Sequence, residues 1–405
     1  MAAVMIGVDP HKASHTAVAL SAAEEPLGEL RVRACTAQAE RLLAWAAAWP
    51  ERAWAVEGAG GLGHLLAQQL VAAGERVLDV QPKLAERVRL LAAGAVNKND
   101  PNDARSVAVA ALRSRTVREV VPDDHSTVLK VWSRRHRDLG RARTQIAGRL
   151  HAAVCELVPG GISKEITAAH AARVLAQVIP SDAVQQARRE LAADLLDDLR
   201  RADERLREVH KKLTAAVQAA GTTLTEIFGV GPVIAATVIG QAADISRFAS
   251  RDGFAAYDGT APIEVSSGKR KVHRLSRRGN RTVNHAAHMA AVTQVRHKHS
   301  DGRAYHDKKL AEGKTAKEAL RALKRQVSDA FYQHLKADAA RAAAGKAQGP
   351  GGQAGNVSVA SAAGSHPERQ LFGQATPGPH PTLRPQPGPG RKSTSQARRK
   401  ITASP

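Results

Sequence analysis

Apolar and polar positions near the N-terminus alternate in short runs that predict strands, joined first by turns and then by helices. An apolar run from Val4 to Asp9 is followed by a turn and by a second run, Thr16–Leu20, and the two predict a β-hairpin. The pattern then predicts, in order, a strand at 30–34, a helix at 38–49, a strand at 53–57, a helix at 62–73, a strand at 76–80 and a helix from Pro82. Hairpin strands followed by alternating helices and strands predict an α/β domain with a mixed sheet.

Carboxylates stand at the ends of two of these strands. Asp9 ends the first strand and Glu57 ends the fourth, so each side chain is expected where the buried sheet meets solvent. The glycine cluster after Glu57, from Gly58 to Gly61, lacks the spacing of a nucleotide-binding loop. We therefore interpret this cluster as a tight strand-to-helix turn.

Two further carboxylates, Asp100 and Asp103, lie at a predicted helix start. Asp100 is placed to cap a helix whose first residue is Pro101, and Asp103 follows on the same face. Taken alone, Asp100 is explained as a cap and Asp103 as a partner of the helix dipole. Together with Asp9 and Glu57 they could form an acidic cluster that needs a cation. Mg²⁺ takes oxygen ligands and serves phosphodiester chemistry in this way.

The middle of the chain predicts two long helices, at 128–157 and 183–218. The first is basic, and its side chains Arg134 and Arg135 are candidates for nucleic-acid contact, although such a face can also be plain solvated surface. The second repeats apolar residues at spacings near three and four, which predicts a coiled coil, an antiparallel helical hairpin or a helix packed on its own domain. Those apolar positions are Leu191, Leu195, Leu199, Leu206, Val209, Leu213 and Val217.

Residues 227–236 have the pattern of a helix-hairpin-helix. Gly229 and Gly231 permit a tight turn, and the amide groups of the next helix start can meet a phosphate. The alternative is an ordinary turn between packed helices. Further helices are predicted from Asn280 onward and at 319–335.

Residues 261–281 form a basic stretch that is rich in Lys and Arg. The chain has no acidic residue from there on, between Glu264 and Asp301. The basic stretch is either a loop that clamps a phosphate backbone or the surroundings of a serine nucleophile, since cations would neutralise the phosphoryl oxygens during attack. The candidate nucleic-acid contacts in this stretch are Lys269, Arg270, Lys271, Arg274, Arg277, Arg278 and Arg281.

The charge of the whole chain points to a polyanionic partner. The 405 residues carry a net charge of +22, which favours nucleic acid, with an acidic membrane surface as the competing partner. No apolar run is long enough for a transmembrane helix. The two cysteines, Cys35 and Cys155, argue against a disulfide framework and a cysteine zinc site and fit a reducing cytoplasm. Residues 339–405 are rich in Gly, Pro, Ala and Ser and are predicted to be disordered.

Two motif regions resemble a known family. Gly7-Val8-Asp9, then Glu57, then Lys98-Asn99-Asp100-Pro101-Asn102-Asp103 are similar to the Asp-Glu-Asp-Asp signature of the insertion-sequence 110 transposases, which are related to Piv-type DNA invertases. The resemblance covers residues 4–335 and implies an N-terminal domain of the RuvC-like, RNase H type. It also implies that the catalytic carboxylates Asp9, Glu57, Asp100 and Asp103 bind Mg²⁺.

The stretch from Pro262 to Asn280 resembles the family's transposase domain, in which a serine just before a glycine is the nucleophile. Ser267 precedes Gly268 and is the matching residue. Ser266 is the alternative because the Ser-Ser pair leaves the alignment ambiguous, and Ser276 is a distant third. The resemblance thus implies a transient serine–DNA ester.

The resemblance also implies partners and an organisation for the chain. The expected partners are donor and target double-stranded DNA and a structured non-coding guide RNA, with coiled-coil contacts building a dimer of dimers in the bacterial cytoplasm. The predicted domains are a RuvC-like domain at 1–118, a helical linker and coiled coil at 119–221, a mainly α-helical transposase domain at 222–338 and the tail at 339–405.

Two other functions compete with this interpretation. A metal-dependent nuclease acting on branched DNA would need the four carboxylates but no serine nucleophile. A non-catalytic nucleic-acid-binding protein would need neither. The acidic positions are all present, which argues against an inactive copy.

Overall fold

A computed structural model of the chain describes residues 4–91, 99–114, 117–162, 166–267, 270–276 and 279–347. The strands are β1 Val4–Pro10, β2 Ser14–Ser21, β3 Pro26–Arg33, β4 Arg52–Glu57, β5 Val77–Val80, β6 Arg118–Glu119, β7 Pro262–Ser267 and β8 Arg270–Leu275. The first six helices are α1 Gln38–Ala46, α2 His64–Ala72, α3 Pro82–Leu91, α4 Asp100–Arg113, α5 His125–Cys155 and α6 Ala168–Ala176. The others are α7 Ala183–Ala219, α8 Pro232–Ala242, α9 Arg251–Asp258, α10 Arg281–Arg296, α11 Asp301–Ala311 and α12 Ala316–Ala347.

Six strands form one mixed sheet in the order β3-β2-β1-β4-β5-β6. Strands β1, β2 and β3 pair antiparallel, β4 lies parallel to β1 and to β5, and the short β6 is antiparallel to β5. The parallel register sets Val8 beside Val56, so the next residues, Asp9 and Glu57, reach the same edge of the sheet. The mixed α/β sheet implied for a RuvC-like domain is confirmed.

Helices cover both faces of this sheet. Leu42 of α1 and Leu66 of α2 pack on one face, where Ile6 and Val8 of β1 also lie. Helices α3 and α4 pack on the other face. Strand β1 is therefore buried along its whole length, which explains why its sequence reads as a continuous apolar run.

Helices α5 and α7 form an antiparallel pair. His125 Nε2 lies 2.8 Å from the carbonyl oxygen of Ala216, and at the other end Arg188 forms an ion pair with Glu156 at 2.9 Å. Of the structural alternatives for this segment, an antiparallel helical hairpin is therefore present. Leu191, predicted in the apolar seam, is exposed, because the buried face of α7 begins one position later with a small alanine, Ala192.

The C-terminal helices surround a second core. Phe254 of α9 and Phe331 of α12 are fully buried in it, together with side chains of α5, α7, α8 and α10. Helix α12 continues to Ala347, so the prediction of a disordered tail from 339 was wrong for 339–347. The alanine-rich composition of that segment favours helix. Residues 348–405 lie outside the described residues.

The basic stretch forms a β-hairpin and not the loop that its charge suggested. Strands β7 and β8 pair antiparallel, with Ser266 opposite Lys271 and Ser267 opposite Arg270. Helices α6, α9 and α11 and strand β6 were also not predicted. Among the described residues, none of the helices is both long enough and apolar enough to span a membrane. The domain boundaries at 118 and 221 stay predictions, whereas α12 runs without interruption across the predicted boundary at 338.

Candidate active site

Two of the four predicted carboxylates, Asp9 and Asp100, come within ligand distance of each other at one edge of the six-stranded sheet, and Glu57 and Asp103 lie close enough to act on the charge of this centre. Asp9 and Asp103 are buried, while Glu57 and Asp100 are half-buried. Ligand atoms of Asp9, Asp100 and His11 lie within 4.8 Å of one another. Burial raises the pKa of Glu57, and the negative charges of Asp9 and Asp103 raise it further, which places Glu57 in the same electrostatic centre.

A glycine in β1 sets how close the helix carrying two of these carboxylates can come. A Cβ at Gly7 would lie 2.1 Å from the carbonyl oxygen of Ala104 and 2.6 Å from the amide nitrogen of Ala108. The backbone of α4 therefore rests directly on β1, two residues before Asp9. Asp103 precedes Ala104, so this contact brings its carboxylate to the acidic centre.

Asn99, and not Asp100, caps α4. The Asn99 side chain accepts a hydrogen bond of 2.9 Å from the amide of Asn102, and Asp100 is the first helical residue. The prediction that Asp100 is the cap was wrong by one position, since asparagine is an equally good capping residue. The Asp100 carboxylate is consequently not used to satisfy the helix start and can face Asp9.

The electrostatics of Asp9 fit a cation. Burial is the largest cause of its raised pKa, Asp103 and Asp100 raise the pKa further, and His11 and Arg89 lower it. Asp9 Oδ2 is buried and accepts no hydrogen bond from any described residue, with His11 Nδ1 3.4 Å away. A buried carboxylate oxygen without a partner is costly unless it meets a proton or a cation. The oxygen-rich donor set is therefore suited to a divalent metal ion.

Three cationic or ionisable side chains of this centre were not identified from the sequence. His11 lies beside Asp9, Arg31 Nη2 lies 3.4 Å from Asp100 Oδ2, and Arg89 forms an ion pair with Asp103. The position of His11, two residues after Asp9 in a hairpin turn, was a usable signal. The arginines come from β3 and α3, and no local pattern links them to the carboxylates.

The second candidate region is the β7–β8 hairpin. Ser266 is exposed, and its hydroxyl donates a hydrogen bond of 2.5 Å to Oε1 of Glu264. Ser267 is the last residue of β7, and its side chain lies outside the described part of the chain. Ser276 is buried, which makes it a poor nucleophile for a large substrate.

The predicted cations of this hairpin are described only in part. Arg274 and Arg281 are exposed. Residues Lys269, Arg277 and Arg278, and the side chains of Arg270 and Lys271, lie outside the described residues. The structure thus leaves the contacts of those five side chains as predictions.

Both ends of the hairpin are fastened to the helical core. Asn280 Nδ2 donates to Gln241 Oε1 at 2.8 Å and to the Tyr257 hydroxyl at 2.7 Å. Gly279 packs so tightly on Gly259 that a Cβ at Gly279 would lie 2.4 Å from the Gly259 amide nitrogen. The segment that precedes β7 and the segment that follows β8 are therefore held against each other.

A buried polar network lies beneath this junction. Asp258 is fully buried, and its Oδ1 accepts hydrogen bonds from the Thr260 amide at 2.8 Å and the Thr260 hydroxyl at 2.7 Å. Asn284 donates to the Asp258 carbonyl at 2.8 Å and accepts from Lys324 Nζ at 2.8 Å. Burial raises the pKa of the Asp258 carboxyl and lowers the pKa of Lys324.

The predicted glycine turn and the basic helix are both present. Gly229 has φ of +83°, and a Cβ there would lie 3.0 Å from the Ala290 carbonyl oxygen, so the turn packs on α10. Gly231 is the N-cap of α8, while a single 3₁₀ turn, Leu224–Glu226, stands where the first helix of the motif was expected. Arg134 and Arg135 are exposed on α5.

Two family models match the chain. A model described as transposase of the IS116/IS110/IS902 family matches residues 221–307, and an IS110 DEDD model described as transposase matches residues 6–159. The first model therefore spans the serine hairpin and the second spans all four carboxylates.

Curated relatives match over most of the chain. An uncharacterized 44.8 kDa protein of insertion element IS116 from Streptomyces clavuligerus is 25% identical over 383 residues, which is 82% of this chain and 94% of that protein. An uncharacterized 42 kDa protein of insertion element IS900 from Mycobacterium paratuberculosis is 26% identical over 395 residues, which is 82% of this chain and 96% of that protein. A probable family 20 transposase of Pseudomonas aeruginosa is 26% identical over 54% of this chain and 64% of its own length.

Among solved structures, Thermus thermophilus RuvC in complex with a Holliday junction substrate matches 29% of this chain and 99% of the RuvC chain. The sequence identity is 15% and the TM-score is 0.24.

Proposed function

The chain belongs to the IS116/IS110/IS902 family of transposases, and from this premise we propose that it cuts and rejoins the DNA of an insertion sequence through a serine–DNA ester. The observation that carries the proposal is the convergence of Asp9, His11 and Asp100, with one buried Asp9 oxygen that accepts no hydrogen bond from a described residue. Such an acidic centre serves phosphodiester chemistry, and the serine hairpin adds a nucleophile to the same chain.

In this proposal the carboxylates Asp9, Glu57, Asp100 and Asp103 hold Mg²⁺. The ion would neutralise charge on the phosphate oxygens of the bound DNA. The residues of the chain position it: the parallel pair β1–β4 sets Asp9 beside Glu57, and α4 adds Asp100 and Asp103. Arg31 and Arg89 contribute positive charge at the rim of this centre, where a phosphate would enter.

Ser267 is the proposed nucleophile. Its hydroxyl oxygen bonds to the phosphorus, a deoxyribose oxygen leaves with a proton, and the serine gives up its own proton to a base. Attack on the ester by a new deoxyribose hydroxyl reverses the step and rejoins the DNA. Ser266 remains the alternative, and one observation supports it, because Glu264 already accepts its hydroxyl hydrogen bond and can take the proton.

The proposed partners follow from charge and family resemblance. Donor and target double-stranded DNA would meet the basic surface that includes Arg134, Arg135, Arg274 and Arg281, and the turn at Gly229 and Gly231 would present amides to a phosphate. A structured non-coding guide RNA would pair with both DNAs, so that the protein itself needs little base readout. The α5–α7 hairpin would contribute to a dimer of dimers in the bacterial cytoplasm.

The test is recombination in bacterial cells that carry the gene with its own flanking DNA. New junctions are counted by sequencing, and covalent protein–DNA adducts are recovered under denaturing conditions. Ser267→Ala should lose junctions and adducts, Asp9→Asn should lose junctions, and Ser266→Ala should keep both. The reverse result for the two serines would move the nucleophile to Ser266.

Two outcomes would reject the serine mechanism. If the Ser266→Ala, Ser267→Ala double variant still cuts DNA but joins nothing, the protein is a metal-dependent nuclease. If that double variant and Asp9→Asn both recombine like the parent, the chain acts as a nucleic-acid-binding component and the chemistry lies elsewhere.

A further inference from the structure

Three aromatic rings lie together on the surface of the C-terminal region. The ring centroid of Phe228 is 5.4 Å from that of His297 and 5.3 Å from that of His299, and the two histidines are 5.8 Å apart. We call these three residues the aromatic platform. All three side chains are exposed, and Phe228 is 42% exposed. Of the described phenylalanines, it alone is exposed, although aromatic residues make up only 3% of the chain.

The backbone beneath the platform is held rigidly. Buried Gln294 donates from Nε2 to the Phe228 carbonyl at 2.8 Å, and buried Ser300 donates from Oγ to the Gln294 carbonyl at 2.6 Å. His297 Nδ1 lies 2.8 Å from the Thr293 carbonyl oxygen, which fixes one imidazole ring. The fold therefore uses buried polar groups to hold exposed rings in place, which plain core packing does not require.

Charge around the platform suits a phosphate backbone. Arg296 and Lys298 alternate with the two histidines and are exposed. Acidic residues also occur nearby in sequence, at Glu226 and Asp301, so the local field is mixed. The net charge of +22 nevertheless favours a nucleic acid as the partner, because its phosphates bind a basic surface without a specific complementary site, which an acidic peptide would need.

The three rings meet edge to face, with interplanar angles of 69°, 89° and 76°. We propose that one ring of the aromatic platform, Phe228, stacks on an unpaired nucleobase of a single-stranded segment, while Arg296 and Lys298 contact the adjoining phosphates. Bases inside a duplex present their faces to each other, whereas an unpaired base offers a free face to an aromatic ring. A displaced DNA strand and an RNA loop both carry this chemistry. The inference rests on the proposed function only in taking a nucleic acid as the partner.

Binding of fluorescent oligonucleotides to the full chain tests the platform. The probes are oligo-dT, oligo-U and an abasic DNA strand, each of about 12 nucleotides. Phe228→Ala should weaken binding of the base-containing strands about tenfold, because one stacked base is lost. It should leave binding of the abasic strand unchanged, since that strand keeps only the phosphates. The strand that loses more affinity, DNA or RNA, identifies the source of the base.

Matched variants separate stacking from folding and from charge. Leu310→Ala removes an equally exposed apolar side chain from α11, outside the platform, and should leave every affinity unchanged. Phe228→Leu keeps the apolar bulk without the ring and should bind like Phe228→Ala. Lys298→Ala should weaken all three probes and make their binding less dependent on salt.

Phe228→Trp supplies a direct signal of stacking. The variant should keep its affinity for oligo-dT, and its added tryptophan emission should be quenched by oligo-dT but not by the abasic strand. The four native tryptophans are subtracted with the parent protein.

The possible failures are distinct. If Phe228→Ala and Phe228→Leu bind oligo-dT and oligo-U like the parent, or lose affinity for the abasic strand to the same extent, the platform is structural and the inference is wrong. If the parent binds none of the three probes, the inference is wrong, and binding of a double-stranded DNA probe, measured in parallel, decides separately whether the proposed function loses its nucleic-acid partner.

Discussion

The acidic centre and the serine hairpin differ in how the fold supports them. The acidic centre lies at the edge of a six-stranded sheet whose faces are both covered by helices. The serines lie on a separate two-stranded sheet whose ends are fastened to the helical core. Two strands alone are marginally stable in water, so this hairpin depends on its attachment.

The difference separates a preorganised site from a tethered one. Strand register places Asp9 and Glu57, and direct backbone contact between β1 and α4 places Asp103. Substitutions of these residues or of that contact should therefore change the geometry or charge of the acidic centre directly. Substitutions at the base of the hairpin should leave the proposed serine nucleophile intact but make the position of the hairpin less fixed. Four substitutions distinguish the two kinds of site.

Replacement of Asp9 by asparagine should have the largest effect. Recombination should fall at least about 100-fold, because one carboxylate that would hold the charge-neutralising Mg²⁺ is lost. The stabilisation that Mg²⁺ gives the parent, measured as a rise in melting temperature after chelation and re-addition, should disappear. Glu51→Gln, at the exposed residue just before β4, is the control and should behave like the parent. An undiminished Mg²⁺ effect in Asp9→Asn would contradict a metal site at this edge.

Gly7→Ala should damage the same centre through packing. The added methyl group meets the α4 backbone at Ala104 and Ala108, and overpacking of this kind costs about 1–3 kcal/mol of unfolding free energy. Denaturant unfolding measures the loss, and the Mg²⁺ effect should shrink with it. Gly60→Ala is the matched control, because a Cβ there meets no atom within 4 Å. Equal stability of the two variants would show that α4 can move away from β1 freely.

Asn280→Ala tests the tether of the hairpin. Asn280 caps α10 and also donates to Gln241 and Tyr257, so its loss should cost about 1–2 kcal/mol. Recombination should fall while the Mg²⁺ effect stays that of the parent. Ser250→Ala removes a comparable cap at the start of α9, where the Ser250 side chain accepts from the Gly253 amide and makes no described bond to the hairpin. It should lower stability without the same loss of recombination. A Mg²⁺ effect lost in Asn280→Ala would mean that the two regions are not independent.

The pH dependence of stability should change slightly in Asp258→Asn. Burial raises the pKa of Asp258 above its ordinary value of 3.8, so the folded state binds this proton more readily than the unfolded state. The resulting stabilisation is complete below the ordinary pKa and is lost as pH rises through the raised one. The parent should therefore lose stability relative to Asp258→Asn over that interval in a series of thermal melts, with Glu51→Gln as reference. Parallel curves would mean that the Asp258 pKa is not raised.

Much of the acidic centre could be predicted because its signals are local. The apolar runs of β1 and β4 and the helix start before Pro101 are each visible within a few residues, and they carry Asp9, Glu57, Asp100 and Asp103. The convergence of the carboxylates followed from the chemistry expected at sheet edges. Their metal-binding and catalytic roles stay predictions.

The features that the sequence did not predict depend on contacts between distant residues, or on a strand pattern that neighbouring charged residues concealed. Arg31 reaches Asp100 because β3 pairs with β2, and Arg89 reaches Asp103 because α3 packs beside α4. In β7, Ile263 and Val265 alternate with polar residues, but the dense positive charge that follows concealed the strand signal. The tether at Asn280 joins residues far apart in the chain and has no sequence signature.

The backbone contact at Gly7 should make the spacing of the acidic centre independent of side-chain substitutions elsewhere in the core. Main-chain atoms of α4, not adjustable side chains, bear on the strand there. The distance between β1, which carries Asp9, and α4, which carries Asp103, is therefore set by contact between their backbones. Substitutions among the surrounding apolar side chains should leave that distance unchanged. Position 7 should therefore tolerate no side chain, since even a methyl group would push the two carboxylate-bearing elements apart.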